Sequence, residues 1–493
     1  MTTRTLIAAA IFTASITAAA SAIPITTFQR KNLGTAAAQT GNDILQTSDG
    51  GYVYVGTRNF NINYRQITLT KTNSVGQPLW TQIYGIGQSR TEGLSIIESQ
   101  DGGFVLGCSS DSPLVGSNRL ILIKTDSIGN INAARRYDGT TFGRVRSAGG
   151  NGYVIVGTKT LTNGQNVGVM IRTDANLIQT AGVQVNQAGS ASSVMLSDIA
   201  EDRDGSFYIA GRLDASFNVA RFLAIRTRTP ASPFGSFLWT YDYFSSLPGL
   251  YTGMSVVRDR AGFATFAGVS SVSQFPSANT AVCRVDAAGN RQWANLYNGF
   301  NPTGGMCLGQ SDQIMLNCSI APQDCGLMQI NQNTGTANWV RRFGDSFSND
   351  SASRVIKTTD GGYASVGFQS GTPAQPMLYK HDAQGWIGCN QFNQTTSTVN
   401  SPQQLALTLT SAALGPDADV SFEWTFENRG ENVLCFAQRC PGDYNTDLQV
   451  DFFDYLDFVA DFSSGHMRAD FNDDQELDFF DYLDFVAAFV SPC

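Results

Sequence analysis

A short unit recurs seven times between Ile23 and about Gln391, and this repetition restricts the fold more than any other feature of the chain. Its clearest part is a tight turn running into an apolar strand. The copies begin Asp49-Gly-Gly-Tyr52, Asp101-Gly-Gly-Phe104, Asn151-Gly-Tyr153, Asp204-Gly-Ser-Phe207 and Ala261-Gly-Phe263. The sixth, Ser311-Asp-Gln313, has lost its glycines, and the seventh, Asp360-Gly-Gly-Tyr363, restores them. Asp-Gly and Asn-Gly favour tight hairpins because glycine accepts positive φ. The aromatic positions fall 49 to 56 residues apart.

A second apolar strand follows each turn strand and ends in a basic or polar residue, as in Leu120-Ile-Leu-Ile-Lys124 and Phe222-Leu-Ala-Ile-Arg226. A glycine turn and a tryptophan strand then close several units, at Gly76…Trp80, Gly235…Trp239, Gly289…Trp293 and Gly335…Trp339. With the strand before each Asp-Gly turn, such as Ser95-Ile-Ile-Glu98, the unit has four strands. A period near 50 with four strands per unit predicts a β-propeller, here of seven blades over residues 23–391. The segment Thr27–Gly34 looks like a last strand without its blade, and pairing it into the seventh unit would close the ring and hide sheet edges. The fold class expected is mainly β: a seven-bladed propeller, a short β-spacer and a small α-helical calcium-binding module. The repeats resemble the Asp-Gly-Gly-Tyr type of propeller in exported bacterial proteins.

Residues 392–439 break the repeat. Gln404–Leu409 and Val420–Phe426 alternate apolar with polar, which predicts two strands of a spacer.

Residues 440–493 carry one loop and one helix twice. Asp443, Asn445, Asp447, Asp451 and Asp454 place side-chain oxygens at loop positions 1, 3, 5, 9 and 12, and Gln449 offers its carbonyl at position 7. Asp470, Asn472, Asp474, Asp478 and Asp481, with Glu476, repeat the set. A hard cation takes six to eight oxygen ligands, and a twelve-residue loop wraps them around one point, so two Ca2+ sites are expected. Each loop runs into Asp-Tyr-Leu-Asp-Phe-Val-Ala, read as a helix with Leu456, Val459 and Phe462 on one face, and Leu483, Val486 and Phe489 on the other copy's.

Loop then helix, twice, without a preceding helix, resembles a dockerin module. That resemblance implies calcium-dependent folding, a cohesin-like or cell-envelope receptor as partner, and a link to polysaccharide breakdown. Two positions depart from the family. Position 6, normally glycine, is Leu448 and Gln475, and a side chain at positive φ costs about 1–2 kcal/mol. Positions 10 and 11, a small polar recognition pair in type I dockerins, are Phe452-Phe453 and Phe479-Phe480. If exposed, these rings predict an apolar receptor surface; as core, they would only hold the module together. At least one ring of each pair is expected in the core.

Arg4 precedes an apolar run from Leu6 to Ala20, and Ala20-Ser21-Ala22 fits a small-x-small cleavage site, so residues 1–22 read as an export signal. No other stretch is apolar for long enough to span a bilayer. The expected location is extracellular or cell-surface. Of the formal charge of −9, residues 440–493 contribute −12 through twelve Asp and one Glu against one Arg, leaving +3 for the rest. That balance predicts no nucleic-acid partner.

Nine cysteines leave at least one thiol unpaired. Export permits disulfides. Cys440 with Cys493, Cys389 with Cys435, and Cys318 with Cys325 are candidate pairs from their positions alone. Connectivity does not follow from sequence.

The whole chain holds two histidines, His381 and His466, so Ser-His-Asp hydrolysis and His-rich zinc sites are poorly supplied. Six cations, Lys71, Lys124, Arg172, Arg226, Arg284 and Lys380, end equivalent strands. They would form a ring that either holds an anion or pairs with the nearby turn aspartates, and pairing is the favoured reading. The preferred function is a monomeric, exported, non-enzymatic binding protein whose ligand is a polysaccharide. The alternatives are a glycoside hydrolase or lyase using carboxylates on the propeller's loop face, and a structural surface protein.

Overall fold

The computed structural model describes residues 25–490 apart from 34–36, 62, 113–118, 150–151, 188–191, 217–218, 230, 244–248, 273–278, 321–323, 345–348, 389–390, 440–441, 446–449, 467–468, 472–476 and short connections within 394–429; for 391–439 it gives backbone pairing. The chain divides into two units, Thr26–Ala437 and a second that contains Gln438–Cys493. The expected export signal lies outside the described residues.

The larger unit is built of strands in antiparallel sheets, apart from one helical turn at Gln310–Asp312 and a parallel pairing of Ala220 with Leu250. Six four-stranded meanders and a seventh of three strands follow one another, with inner strands Ala38–Gln46, Thr91–Glu98, Thr141–Ala148, Ser193–Glu201, Gly249–Arg258, Phe300–Leu308 and Asp350–Lys357. They are called blades 1 to 7. Each inner strand packs on the next, and the seventh packs back on the first, so the ring is closed. Its last strand comes from the other end of the chain. Ile25–Leu33 pairs antiparallel with Gln375–His381, with Phe28 opposite Lys380.

The expected Asp-Gly turns form. Gly50, Gly102, Gly205 and Gly361 all have φ between 74° and 81°. In blade 6, where the glycines are missing, Ser311 and Asp312 take the left-handed conformation instead, at 47° and 56°.

Residues 391–439 are not a two-stranded spacer. They form seven strands, and each adds to the outer edge of one blade. Gln391–Asn393 joins blade 6, Thr398–Asn400 blade 5, Leu405–Ala406 blade 4 and Leu409–Ala413 blade 3. Ala418–Asp419 then joins blade 2, Glu423–Glu427 blade 1 and Gly430–Arg439 blade 7. The chain builds the ring in one direction and returns around it in the other. Each blade becomes five-stranded, and the edge that four strands would leave open is paired.

Between blades the core is apolar on both sheet faces. Cys318 belongs to the layer with Met306 and Leu316, Cys325 to the layer with Phe343 and Tyr379. The candidate disulfide between them does not form, and both are free thiols. The register is the reason: Cys318 faces Gly326 and Ser319 faces Cys325, so the sulfurs point to opposite faces of the sheet. Cys108, Cys283 and Cys307 are also free. The candidate partners Cys389, Cys435, Cys440 and Cys493 fall where no side chain is described.

The smaller unit contains helices α1 (Phe452–Ser463) and α2 (Phe479–Val490). They pack through Phe458 and Phe485, whose rings stack at 4.0 Å and 8°. Tyr455 and Tyr482 meet through their hydroxyls at 3.2 Å. The buried face is therefore Tyr455, Phe458, Val459 and Phe462. Leu456 and Leu483, expected on it, are 44% exposed.

Candidate functional site

The axis of the ring carries charge. Six inner strands have a bulge at the same level, and the residues that follow are Asp43, Ser95, Arg144, Asp198, Ser255 and Arg354. Arg144 bridges Asp43 at 2.6 Å and Asp198 at 3.4 Å. Arg354 reaches the same two carboxylates at 3.6 and 3.7 Å, and Arg146 reaches Asp198 at 3.1 Å. Ser95 donates to Asp43, and Ser255 to Asp198. Burial opposes ionisation of Asp198, but the guanidinium groups of Arg146, Arg144 and Arg354 and the Ile199 amide hold its carboxyl below the usual range. Burial, with Arg354 and Arg144 close by, pulls Arg146 down to about 10 against the attraction of Asp198. Both carboxylates are committed to cations and amides, so the cluster locks blades together.

At the end of the ring where inner strands begin lies an open cleft of about 500 Å³, between blades 2 and 3. Arg90, Glu92 and Asp111 stand on one side, with Ser109, Ser110, Thr140, Thr141 and Thr160 around them. Arg90 contacts Glu92 at 3.3 Å and Asp111 at 3.9 Å, so one guanidinium stands between two carboxylates. The Arg90 amide also donates to Asp111 at 2.9 Å, and Arg65 makes a second ion pair with Glu92. Asp138 beside the cleft accepts from Lys159 at 2.6 Å and Arg119 at 3.3 Å. Immediately before Arg65, the hairpin of blade 1 presents Phe60 and Tyr64 as a stacked pair, 4.7 Å apart at 13°. Phe60 is 44% exposed, with Arg58 over its outer face at 4.6 Å.

The sequence did not single out this cleft. Its residues lie at strand ends and hairpins, where the repeats differ. A signal existed in the departure of Arg90-Thr-Glu92 and Ser109-Ser-Asp111 from the apolar repeat.

Five of the six repeated cations pair with turn carboxylates. Lys71 meets Asp49 at 2.8 Å, Lys124 meets Asp101 at 2.8 Å and Lys380 meets Asp360 at 2.9 Å. Arg226 meets Asp202 at 2.8 Å and Asp204 at 3.1 Å, and Arg284 meets Asp259 at 2.5 Å. Hydrogen bonds from Lys124 and Ser99 hold the Asp101 carboxyl down to about 2. These pairs lock each turn onto its own blade, so the six cations do not make a ligand ring.

In the smaller unit, the first and last loop positions are buried in both copies: Asp443 and Asp454, Asp470 and Asp481. Asp454 accepts from the amides of Asn445 at 2.8 Å and Asp451 at 2.9 Å. Asp481 accepts from Phe471 at 2.7 Å and Asp478 at 2.9 Å. Both thereby close their loops onto the following helix. Asp447, Gln449, Asn472, Asp474 and Glu476 lie outside the described residues, and among the described residues no three acidic, His or Cys side chains converge as a metal site. Phe452, Phe453, Phe479 and Phe480 are each 64% exposed, so none of these rings is core.

No family model matches the chain, and no curated protein matches it. Among solved structures, a putative 6-phosphogluconolactonase from Bacteroides uniformis is 11% identical, covering 78% of this chain and all of that one, with a TM-score of 0.42. A periplasmic gluconolactonase of Pseudomonas aeruginosa is 10% identical over 79% of this chain and all of that one, TM-score 0.41. The Penicillium chrysogenum α-L-arabinanase is 11% identical over 73% and 99%, TM-score 0.39. At these identities and scores, nothing is transferred from them.

The resemblance of residues 440–493 to a dockerin is overturned. No family model supports it, and the region has two short helices joined by a stacked Phe458–Phe485 contact. The positions that carry the family's small polar pair hold exposed phenylalanines, and position 6 lacks its glycine. The cohesin-like partner inferred from that resemblance falls with it. Among the described residues no helix is long and apolar enough to cross a membrane.

Proposed function

We propose that the ring binds a polyhydroxylated, saccharide-class ligand in the cleft beside Arg90. The observation that carries this reading is the combination in one cleft of Glu92 and Asp111 on either side of Arg90 with a wall of serine and threonine hydroxyls; the Phe60–Tyr64 stack precedes Arg65, which pairs with Glu92. Carboxylates and guanidinium groups together accept from and donate to neighbouring sugar hydroxyls. Tyr64 and Arg58 take the two faces of Phe60, so its exposed ring edge is the apolar surface left for a sugar.

A hydrolase is the second reading, favoured by two acids facing one cleft, since glycoside hydrolysis needs a carboxyl pair about 5–10 Å apart. Binding without turnover is preferred because each acid is held by guanidinium contacts: Glu92 by Arg65 and Arg90, Asp111 by Arg90 and its amide. The test mixes the full chain with insoluble polysaccharides and records protein depletion and soluble sugar release. Depletion that Arg90→Ala weakens, without sugar release, supports binding. Release that Glu92→Gln or Asp111→Asn abolishes supports hydrolysis. Neither depletion nor release sinks both.

For the smaller unit we infer two Ca2+ sites, from the oxygen spacing of both loops and the burial of their first and last carboxylates. Bound calcium would neutralise the carboxylates gathered there. Calorimetric titration of the full chain should show two sites, and an absence of calcium uptake would remove them. Export through residues 1–22 belongs to the same reading; secretion lost on their deletion is its test.

A further inference from the structure

Arg172 occupies the same place in blade 3 as the five paired cations do in theirs: it faces Val154, as Lys71 faces Val53 and Lys124 faces Val105. In the other blades the carboxylate comes from the first or the third position of the turn. Asp202 and Asp259 stand first; Asp49, Asp101, Asp204 and Asp360 stand third. Aligned on the other repeats, the blade 3 sequence Ala148-Gly149-Gly150-Asn151-Gly152 has Ala148 and Gly150 at these two positions. The repeat has kept its cation and lost both sources of the matching anion.

The chain around Arg172 has changed as well. The connection that packs beside it in blade 4 closes with an Arg228 N to Ser236 O bond, where blade 5 closes over Asp286 to Asn290. The longer loop makes two bonds of its own, Ser232 N to Thr229 O and Ser236 N to Pro233 O. It lays Phe234 beside the Arg172 guanidinium, 5.4 Å from ring centroid to Cζ. Between loop and arginine remains a cavity of about 60 Å³, lined by Arg172, Arg228, Thr229, Ser232 and Phe234. Arg172 Nε is buried and has no hydrogen-bond acceptor among the described residues.

We propose that this cavity binds one small tetrahedral oxyanion of the sulfate or phosphate class, which takes the part of the missing turn carboxylate. Arg172, Arg228, Thr229 and Ser232 line it, and a guanidinium fork matches oxyanion geometry. The space admits such a group and excludes a sugar ring. The site lies at the other end of the ring from the cleft, because Arg172 ends the strand Asn166–Thr173 whose start faces the cleft's end. It is independent of the saccharide reading.

The experiment titrates the full chain with inorganic sulfate and with inorganic phosphate by calorimetry, using wild type, Arg172→Gln and Gly150→Asp. Wild type should bind one anion. Arg172→Gln should weaken it by tenfold or more. Gly150→Asp restores a carboxylate to the turn and should also abolish binding while keeping the fold, which separates loss of the site from loss of structure. Sulfate stabilises folded proteins generally by exclusion from their surface. The melting temperature is therefore compared at matched ionic strength with chloride, and the excess sulfate effect should appear in wild type alone. Equal binding or equal excess shifts in all three proteins, or no uptake by wild type, overturns the proposal.

Discussion

The hydroxyl of Tyr297 in blade 5 donates to the carbonyl of Gly335 in blade 6 at 2.5 Å. The same link recurs around the ring: Tyr84 to Gly129 at 2.7 Å, Tyr137 to Leu177 at 2.5 Å and Tyr243 to Gly289 at 2.7 Å. Each outer tyrosine thus fastens its blade to a turn of the next. Gly335 is needed there twice over. Its φ is 70°, and a Cβ would stand 2.7 Å from the Trp293 ring. Gly335→Ala should therefore cost more than the roughly 1–2 kcal/mol of left-handed backbone alone. Tyr297→Phe should cost about 1 kcal/mol, because Asn295 also donates to the same carbonyl at 2.7 Å. Urea denaturation of both variants checks the order; a Gly335→Ala protein as stable as wild type would refute the latch.

His381 is buried and neutral. Burial, aided by Lys380, pushes its pKa down to about 3, although its ring bonds the Gly385 carbonyl. The unfolded chain binds a proton near the ordinary value of about 6.5 and the folded ring does not. Stability from this group is thus complete above that pH and falls as pH drops towards 3, by up to about 1.4 kcal/mol per unit. Asp49 and Asp101, held down to about 2, stay ionised between pH 6.5 and 5, so the slope there is read as that of His381. His381→Gln should flatten the dependence of the unfolding midpoint over that window. An unchanged slope would show that the imidazole titrates in the native state.

The thiols of Cys318 and Cys325 should react only on unfolding. Both are fully buried, and burial raises Cys318 to about 12. A thiol–disulfide reagent should modify neither in the native protein, and mass mapping after denaturation under non-reducing conditions should find both as thiols. A peptide containing a Cys318–Cys325 bridge would contradict the register of these strands.

What the sequence made legible was the repeated part. Turns such as Asp49-Gly-Gly-Tyr52 declare the blades because glycine and alternation act locally. The N-terminal strand was readable because Thr27–Gly34 matches the last strand of blade 1. The return path was not. Its strands at Leu405–Ala406 and Ala418–Asp419 are two residues long, too short for any periodicity, and they form only because a blade edge is waiting. The cleft was hidden for the opposite reason: Arg90, Glu92 and Asp111 meet only when the first two strands of blade 2 pair, and blade 3 then supplies the facing wall of Thr140, Thr141 and Thr160. The core–surface assignment of Leu456 failed by one residue because helix α1 turns Phe458 inward.

The axial charges give the sharpest stability prediction. Asp198 is fully buried and carries contacts to Arg144, Arg146 and Arg354, with Val256 N and Ser255 Oγ also donating to it. Asp198→Asn keeps the shape but leaves three guanidinium groups with Asp43 alone. Removing one partner from a buried ion pair typically costs about 3–5 kcal/mol, because the remaining charge stays desolvated. Ser255→Ala removes only a neutral donor to the same carboxylate and should cost about 1 kcal/mol. If the network acts as a unit, Asp198→Asn should also be partly relieved by Arg146→Gln, since that change removes one of the stranded cations. Chemical denaturation of the two single variants and the double variant measures the coupling. Additive losses would mean that water screens the axis, and that Arg146 and Asp198 stabilise the ring separately.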